Sequence, residues 1–319
     1  MTISILRTTG QSGSTWWVAT STGAAKVATD AATTRELLAD RAAIDAAAHS
    51  SDTVPRDSLD SLQLVSPVTA PCRVVAQMTN FASHVKDAGL DPETIPLTFF
   101  RKASGSITGP FDDIIKPDHV RFLDYEVEIG LVIGRPLHVG ATVTAANLSD
   151  YVAGVVVTND VSARDVQLTK TQFYESKSYP TFTPVGPSLV LLDAGELNRF
   201  GDLRLRLRVN GEVRQDMTVD GDMIYRPVQA LQALSKFQHL DAGDLVLTGT
   251  PAGTALSAPP KPVEKIASLL PAPVKWRLFF KAQARNPKYL RDGDVVEATV
   301  ATDDGAIHLG TQRCVVKYK

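Results

Sequence analysis

Apolar and polar positions follow short-period patterns through much of this chain, and the clearest of them predict strands. Leu203 to Val209 puts Leu203, Leu205, Leu207 and Val209 on one face and Arg204, Arg206 and Arg208 on the other, as a half-buried strand requires. Asn210-Gly211 follows, the strongest two-residue hairpin signal. The three arginines read as solvated or as an assembly surface. Val152 to Thr158 is apolar almost without interruption and predicts a fully buried strand. Shorter strands are expected at Ile3 to Arg7, Thr15 to Ala19, Val74 to Met78, Pro96 to Lys102 and Asp244 to Leu247. Helical spacing marks the alanine-rich Thr33 to His49, Phe81 to Ala88, and Pro227 to Lys236, where Val228, Leu231 and Leu234 form one stripe.

One strand departs from this scheme. In Phe122 to Ile133, alternation sends Asp124, Glu126 and Glu128 to one face and Leu123, Tyr125, Val127 and Ile129 to the other. Carboxylates crowded on one face repel, so they require protonation, full solvation or a bound cation. The apolar continuation to Ile133 argues against full solvation, and oxygen ligands without nearby cysteine suit Mg²⁺, Mn²⁺ or Ca²⁺. Alternation alone leaves an ordinary amphipathic strand with a wet acidic face open. The buried run Val152 to Thr158 ends on Asn159-Asp160, and strand ends often carry functional groups. Asp160 is therefore a candidate third ligand beside Glu126 and Glu128, the alternative being a helix N-cap. The adjacent Arg164-Asp165 reads as a pair that locks this loop.

Other candidates follow from residue chemistry. On a helix from Phe81 to Ala88, His84 and Asp87 stand at i and i+3, so an imidazole base could meet a carboxylate that orients it; a surface pair is the alternative. Arg101 or Lys102 could hold a substrate carboxylate, and adjacent strand residues face opposite ways, so one of them faces a pocket. Lys177 could stabilise developing negative charge. In Thr248-Gly249-Thr250-Pro251, glycine admits close approach of backbone N–H groups and Thr250 offers a hydroxyl, either to a substrate or to a tight turn.

Composition narrows the class. The chain has 319 residues, 44% hydrophobic and 21% charged, with a formal net charge of -2. This is ordinary for a soluble globular protein and gives no global attraction to nucleic acid or an anionic membrane. No apolar run is long enough to span a bilayer and Met1 to Gly10 has no signal-peptide core, so a cytoplasmic protein is expected. Cys72 and Cys314 are far apart and form no metal or redox motif. The stretch Asp52 to Ser66 is rich in Ser, Asp and Pro and sets the expected boundary between a small unit, residues 1–65, and a larger one, residues 66–319.

Several of these motifs occur together in an order that resembles the fumarylacetoacetate hydrolase family: Asp124-Tyr125-Glu126-Val127-Glu128, Asn159 to Gln167, Lys177-Ser178, Phe182 to Pro187 and Leu247 to Gly253. The resemblance runs from about Ser66 to the C-terminus. It implies an α+β fold, a mixed β-roll catalytic domain behind a small α+β N-terminal domain. It also implies a divalent-metal enzyme that acts on 2-oxo or 1,3-dicarbonyl acids by C–C hydrolysis, decarboxylation or isomerisation. By family position Glu126, Glu128 and Asp160 are the metal ligands, His84 with Asp87 the water-activating dyad, Lys177 a catalytic cation, and Lys102, Gln167 and Thr250 substrate contacts. Mg²⁺ or Mn²⁺ is the expected ion, with Ca²⁺ able to replace it. The expected partners are a small anionic oxo acid and a second copy of the chain in a homodimer, with neither nucleic acid nor membrane.

Two departures from the family pattern bear on the reaction. Asp87 is one methylene shorter than the glutamate usual in the family dyad, so decarboxylation or tautomerisation stands as the alternative to acylpyruvate-type hydrolysis. A catalytically silent metal-binding or assembly protein is the alternative of another class. Residues 257–288 form an insertion with two expected helices, Val263 to Leu270 and the basic, aromatic Val274 to Arg285. It reads as a lid over an anionic substrate or as a dimer arm, with a membrane-surface helix as a third choice.

Overall fold

The computed structural model describes residues 2–10, 13–21, 23–55, 63–256, 258 and 270–319, with the backbone alone at 272 and 273. The expected helix Val263 to Leu270 thus lies almost wholly outside the described residues.

Two sheets organise the α+β fold. The larger has ten strands, in the order Val54–Pro55, Gly23–Lys26, Gly13–Ala19, Ile3–Gly10, Leu189–Leu191, Val152–Asn159, Val127–Ile133, Leu245–Leu247, Val74–Met78 and Thr98–Lys102. Only the pairing of Leu245–Leu247 with Val74–Met78 is parallel. Residues on both sides of Ser66 share this sheet, because Ile3, Ser4 and Ile5 pair with Leu191, Val190 and Leu189. The smaller sheet has five strands, in the order Glu212–Thr218, Leu203–Val209, Val295–Thr302, His308–Tyr318 and Ile114–Lys116.

Burial explains the arrangement. Val127–Ile133 is buried at every position, and in Val152–Asn159 the side chains of Val155 and Val157 enter one core cluster while Val156 enters the other. A strand covered on both faces needs no polar alternation, which is why that run reads as continuously apolar. The first cluster joins the two sheets through Ile129, Leu131, Leu205, Leu207, Val300 and Leu309. The second lies under the N-terminal helices and contains Trp16, Leu37, Ile44 and Val132.

Local chemistry corrects two expected elements. The helix predicted from Thr33 to His49 is two helices, Thr34–Ala39 and Arg41–Ala48, and Asp40 both ends the first and caps the second. The acidic strand is also interrupted. Leu123–Asp124 pairs with Ser162–Ala163, Tyr125 and Glu126 leave the ladder, and the strand resumes at Val127. Side chains take the backbone donors at the break: Asp124 Oδ1 accepts from Tyr125 N–H at 2.8 Å, Asn159 Oδ1 from Glu126 N–H at 2.9 Å and Gln215 Oε1 from Val127 N–H at 3.0 Å. Each donor is satisfied by a side-chain oxygen in place of a ladder carbonyl. The hairpin at Asn210-Gly211 forms as expected, with φ of 52° and 81° at the two turn residues.

Candidate metal centre and active site

The break in the acidic strand sorts its carboxylates. Glu126 and Glu128, from that strand, and Asp160, from the end of Val152–Asn159, converge so that one oxygen from each lies within 4.8 Å of the others, and all three residues are buried. Asp124 does not join them, contrary to simple alternation. It turns to Arg164, whose Nε donates to Asp124 Oδ2 at 2.7 Å, and it also accepts the N–H groups of Ala255 and Leu256.

Cations pair with two of the three carboxylates. Arg164 Nη2 donates to Glu126 Oε1 at 2.5 Å, and Lys177 Nζ donates to Glu126 Oε2 and to Asp160 Oδ2, the latter at 2.7 Å. Lys102 Nζ pairs with Asp160 Oδ1 and donates to the carbonyl of Phe182 at 3.0 Å. Among the described residues Glu128 has no ion-pair partner; its Oε2 accepts Gly249 N–H at 2.7 Å. Gly249 has φ of 86°, and a Cβ there would lie 2.8 Å from the Cβ of Asn80, so the residue type is dictated by the close approach that aims this N–H.

The electrostatics follow from this distribution. Burial opposes ionisation of Glu126, but Arg164 and Lys177 outweigh it and hold its carboxyl well below the ordinary range. Glu128 goes the other way: burial, then the charges of Asp160 and Glu126, push its carboxyl well above that range. Burial likewise disfavours the Lys177 ammonium, yet Asp160 and Glu126 prevail and raise it. Asp124, Glu126, Glu128 and Asp160 thus face Arg164, Lys177 and Lys102, leaving one carboxylate without a counter-charge. A hard divalent cation suits such a set: all donors are oxygens, none is a thiolate, and each ligating oxygen retains a lone pair beyond its hydrogen bond.

Glu126, Glu128, Asp160, Arg164 and Lys177 line a cavity of about 340 Å³ together with His84, Gln167, Thr250 and mostly apolar side chains. Of the two candidates at the end of Thr98–Lys102, Lys102 is buried against Asp160 and Arg101 is exposed, so strand alternation puts only the lysine at the carboxylates. Gln167 stands at the cavity wall, its Oε1 accepting from Arg164 Nη1 at 2.8 Å. Thr250 also reaches the wall, but its hydroxyl is engaged within the protein: it donates to the carbonyl of Val127 at 2.9 Å and accepts from Gln215 Nε2 at 2.9 Å.

Two expected pairs are not made. Asp87 is exposed, while the buried Nδ1 of His84 has no hydrogen-bond partner. Both residues lie in the helix Ala82–Asp87, yet the imidazole turns inward while the carboxylate stays in solvent. Burial holds the His84 imidazole below its ordinary pKa and so favours the neutral form. Nor does Arg164 pair with Asp165: Arg164 turns inward to Asp124 and Glu126, while Asp165 accepts the N–H groups of Arg121 and Phe122. Sequence reasoning missed Asn159, Gln215 and Asn80 as the supports of the site. Asn80 donates to the carbonyls of Tyr225 and Thr248 and accepts Tyr225 N–H, and its partners lie more than a hundred positions away, beyond any local pattern. Gln77, a buried amide inside an apolar strand, was a visible signal.

Residues 73–317 match the family model described as fumarylacetoacetate (FAA) hydrolase C-terminal. The chain belongs to the fumarylacetoacetate hydrolase family. The mitochondrial oxaloacetate tautomerase Fahd2a of Rattus norvegicus is 36% identical over 208 residues, 65% of this chain and 63% of that protein; the chain thus matches somewhat under two thirds of that relative's length. An uncharacterized protein of Staphylococcus aureus is 32% identical over 246 residues, 76% of this chain and 70% of that one. Among solved structures, a probable 2-hydroxyhepta-2,4-diene-1,7-dioate isomerase from Mycobacterium abscessus superposes with a TM-score of 0.72 at 30% identity, covering 100% of this chain and 99% of that chain. Family membership makes this chain one of an enzyme family whose relatives carry tautomerase, isomerase and hydrolase names. No helix among the described residues is long and apolar enough to cross a membrane.

Proposed function

We propose that this protein is a divalent-metal-dependent enzyme that interconverts the keto and enol forms of a 2-oxo acid, with Glu126, Glu128 and Asp160 as the metal ligands. The observation that carries this reading is the convergence of three buried carboxylates, one of which has no ion-pair partner among the described residues. When bound, Mg²⁺ or Mn²⁺ supplies Lewis-acid stabilisation for negative charge on the 2-oxo oxygen. The chain's own residues supply the rest. Lys177 and Gln167, at the cavity wall, hold the substrate carboxylate. His84, neutral through burial, takes the proton from the carbon next to the 2-oxo group and returns it to oxygen. Lys102 keeps Asp160 in place, and Thr250 fixes the strand at Val127. No water is consumed.

Tautomerisation is favoured over hydrolysis because His84 Nδ1 has no carboxylate behind it. An imidazole that must activate water gains from a partner that stabilises its cation, whereas a proton shuttled between carbon and oxygen of one substrate needs less. C–C hydrolysis of an acylpyruvate, with His84 activating water, is the second reading; the cavity of about 340 Å³ has room for a substrate longer than a four-carbon acid. The test uses protein stripped with EDTA and then supplied with Mg²⁺ or Mn²⁺. Loss of enol absorbance from oxaloacetate and from acetylpyruvate is followed, and products are identified by proton NMR. Metal-dependent equilibration without chain cleavage supports the tautomerase. Pyruvate and acetate from acetylpyruvate support the hydrolase, and metal-independent rates would remove both readings.

A further inference from the structure

The basic, aromatic helix of the insertion, Ala272–Gln283, docks where the acidic strand begins. Trp276 stacks on Phe280 with ring centres 5.6 Å apart, Phe280 stacks on Phe122 at 5.8 Å, and Phe122 also meets the ring of Tyr289 at 5.1 Å. Arg121 lies over both Phe122 and Phe280. Two polar anchors complete the docking. Gln283 Oε1 accepts from the Tyr289 hydroxyl at 2.8 Å, and Asn286 Nδ2 donates to the carbonyl of Ala255 at 2.8 Å. The helix thus buries part of its aromatic face and turns Lys275, Arg277, Leu278 and Lys281 to solvent.

From these anchors a run of contacts leads to Glu126. Ala255 N–H and Leu256 N–H hold the two oxygens of Asp124, Asp124 accepts from Arg164, and Arg164 holds Glu126. A second route runs through the backbone, where the carbonyl of Phe122 accepts Arg164 N–H at 2.9 Å. At Glu126 the strand has left its ladder, so the contacts that fix Asp124 and Arg164 carry more of this side chain's placement. Resting on the reading of Glu126 as a metal ligand, we infer that the docked helix belongs to the scaffold of the metal centre. Phe280 and Asn286 are positioning residues for Glu126, and helix docking and ion binding favour one another. The coupling is reciprocal: the factor by which docking raises ion affinity is the factor by which the ion favours docking.

The experiment has two arms on the full chain. Calorimetric titration with Mg²⁺ compares wild-type protein with Phe280→Ala and Asn286→Ala, and with Leu278→Ala, 49% exposed on the same helix, as the control. The first two variants are each expected to weaken Mg²⁺ roughly tenfold, as loss of an outer partner of a metal ligand does, and Leu278→Ala to keep wild-type affinity. The second arm needs no variant. Trypsin cleavage of wild-type protein after Lys275, Arg277 and Lys281 is expected to slow by a similar factor at saturating Mg²⁺, while cleavage after the exposed Lys236, outside the insertion, keeps its rate. Wild-type affinity in both docking variants overturns the inference. So does equal slowing at Lys236 and at the helix, because a global gain in stability protects every site alike. Wild-type protein that takes up no Mg²⁺ removes the metal-dependent reading beneath the inference, and the inference with it.

Discussion

Arg164 donates through Nε to Asp124 Oδ2 at 2.7 Å, and neither side chain is more than 3% exposed. The pair joins two parts of the molecule that alternation had kept apart. Through Nη2 the arginine holds Glu126, and through its two oxygens the aspartate holds the N–H groups of Ala255 and Leu256, where the family loop passes into the insertion. Removing one partner of a buried pair leaves the other uncompensated. Asp124→Asn is therefore expected to destabilise the fold by roughly 3 kcal/mol and to weaken Mg²⁺ binding as Glu126 loses its fixed position. Urea unfolding and metal titration of the same sample measure both; a loss below about 1 kcal/mol, within reach of a single hydrogen bond, would show that the pair is dispensable.

Glu128 differs from its two neighbours in having, among the described residues, no cation at its oxygens. In metal-free protein burial, then the charges of Asp160 and Glu126, disfavour its ionised form, so Glu128→Gln is expected to leave the metal-free melting temperature unchanged or higher. The variant should lose the rise that Mg²⁺ produces in the wild type, since a ligand that binds only the folded state stabilises in proportion to its occupancy. Thermal melts with and without Mg²⁺ decide this. A variant that keeps the full Mg²⁺-dependent rise would mean that the ion is held elsewhere.

The contrast between Glu128 and Thr250 shows what the sequence could and could not disclose. Carboxylates inside an apolar strand announce themselves, because a buried charge needs a reason that burial does not supply. Glu126 and Glu128 stood out on that ground and Asp160 at the end of a buried run, while the strands now seen as Val127–Ile133, Val152–Asn159 and Leu203–Val209 were legible from their patterns and the α+β class from the family resemblance. Partner choice was not. Arg164 stands next to Asp165 in sequence but pairs with Asp124, 40 positions away, and Thr250 faces Gln215 across 35 positions. Side-chain hydrogen bonds of that kind depend on where the chain returns, which periodicity does not encode.

Thr250 accordingly has a stability test. Its hydroxyl links the carbonyl of Val127 to the amide of Gln215, which itself accepts Val127 N–H. Thr250→Val keeps the shape and removes the hydroxyl, leaving a buried donor and acceptor unpaired, so a loss of about 1–3 kcal/mol is expected, while Thr250→Ser should retain nearly all of the stability. Denaturant midpoints of the two variants provide the comparison. If valine is as stable as serine, the hydroxyl serves the substrate rather than the strand.

Outside the site, Asp241 gives a pH dependence with a definite sign. Its hydrogen bonds to Arg73, foremost, and to His239 lower its pKa to about 2. A carboxyl with a folded-state pKa below its unfolded value of about 3.9 stabilises the fold above that value and ceases to do so as pH falls toward about 2. Arg73 immediately precedes the strand Val74–Met78 and its carbonyl accepts Leu245 N–H at 2.9 Å, so the clamp secures the parallel join of the large sheet. Acid melts of Asp241→Asn between about pH 4 and pH 2 are expected to be flatter than those of the wild type, the two converging at the acid end. Parallel curves would exclude Asp241 from the transition.

His84 and Asp87 separate proton transfer from water activation. Were the aspartate the orienter of the imidazole, replacing it would leave the ring without its partner and lower turnover by orders of magnitude. The side chain is instead exposed, and the buried Nδ1 has no partner. Asp87→Asn is therefore expected to leave kcat within about twofold, well short of the roughly 10²–10⁴-fold that a positioned acid or base contributes. His84→Ala is expected to lose that larger factor in kcat, with KM and Mg²⁺ affinity nearly unchanged, because the imidazole is not hydrogen-bonded to Glu126, Glu128 or Asp160. Steady-state kinetics on one 2-oxo acid, with Mg²⁺ titrated separately, distinguishes the two roles. A large kcat loss in Asp87→Asn would mean that the carboxylate swings onto His84 once substrate is bound, and hydrolysis would then become the better reading of the site.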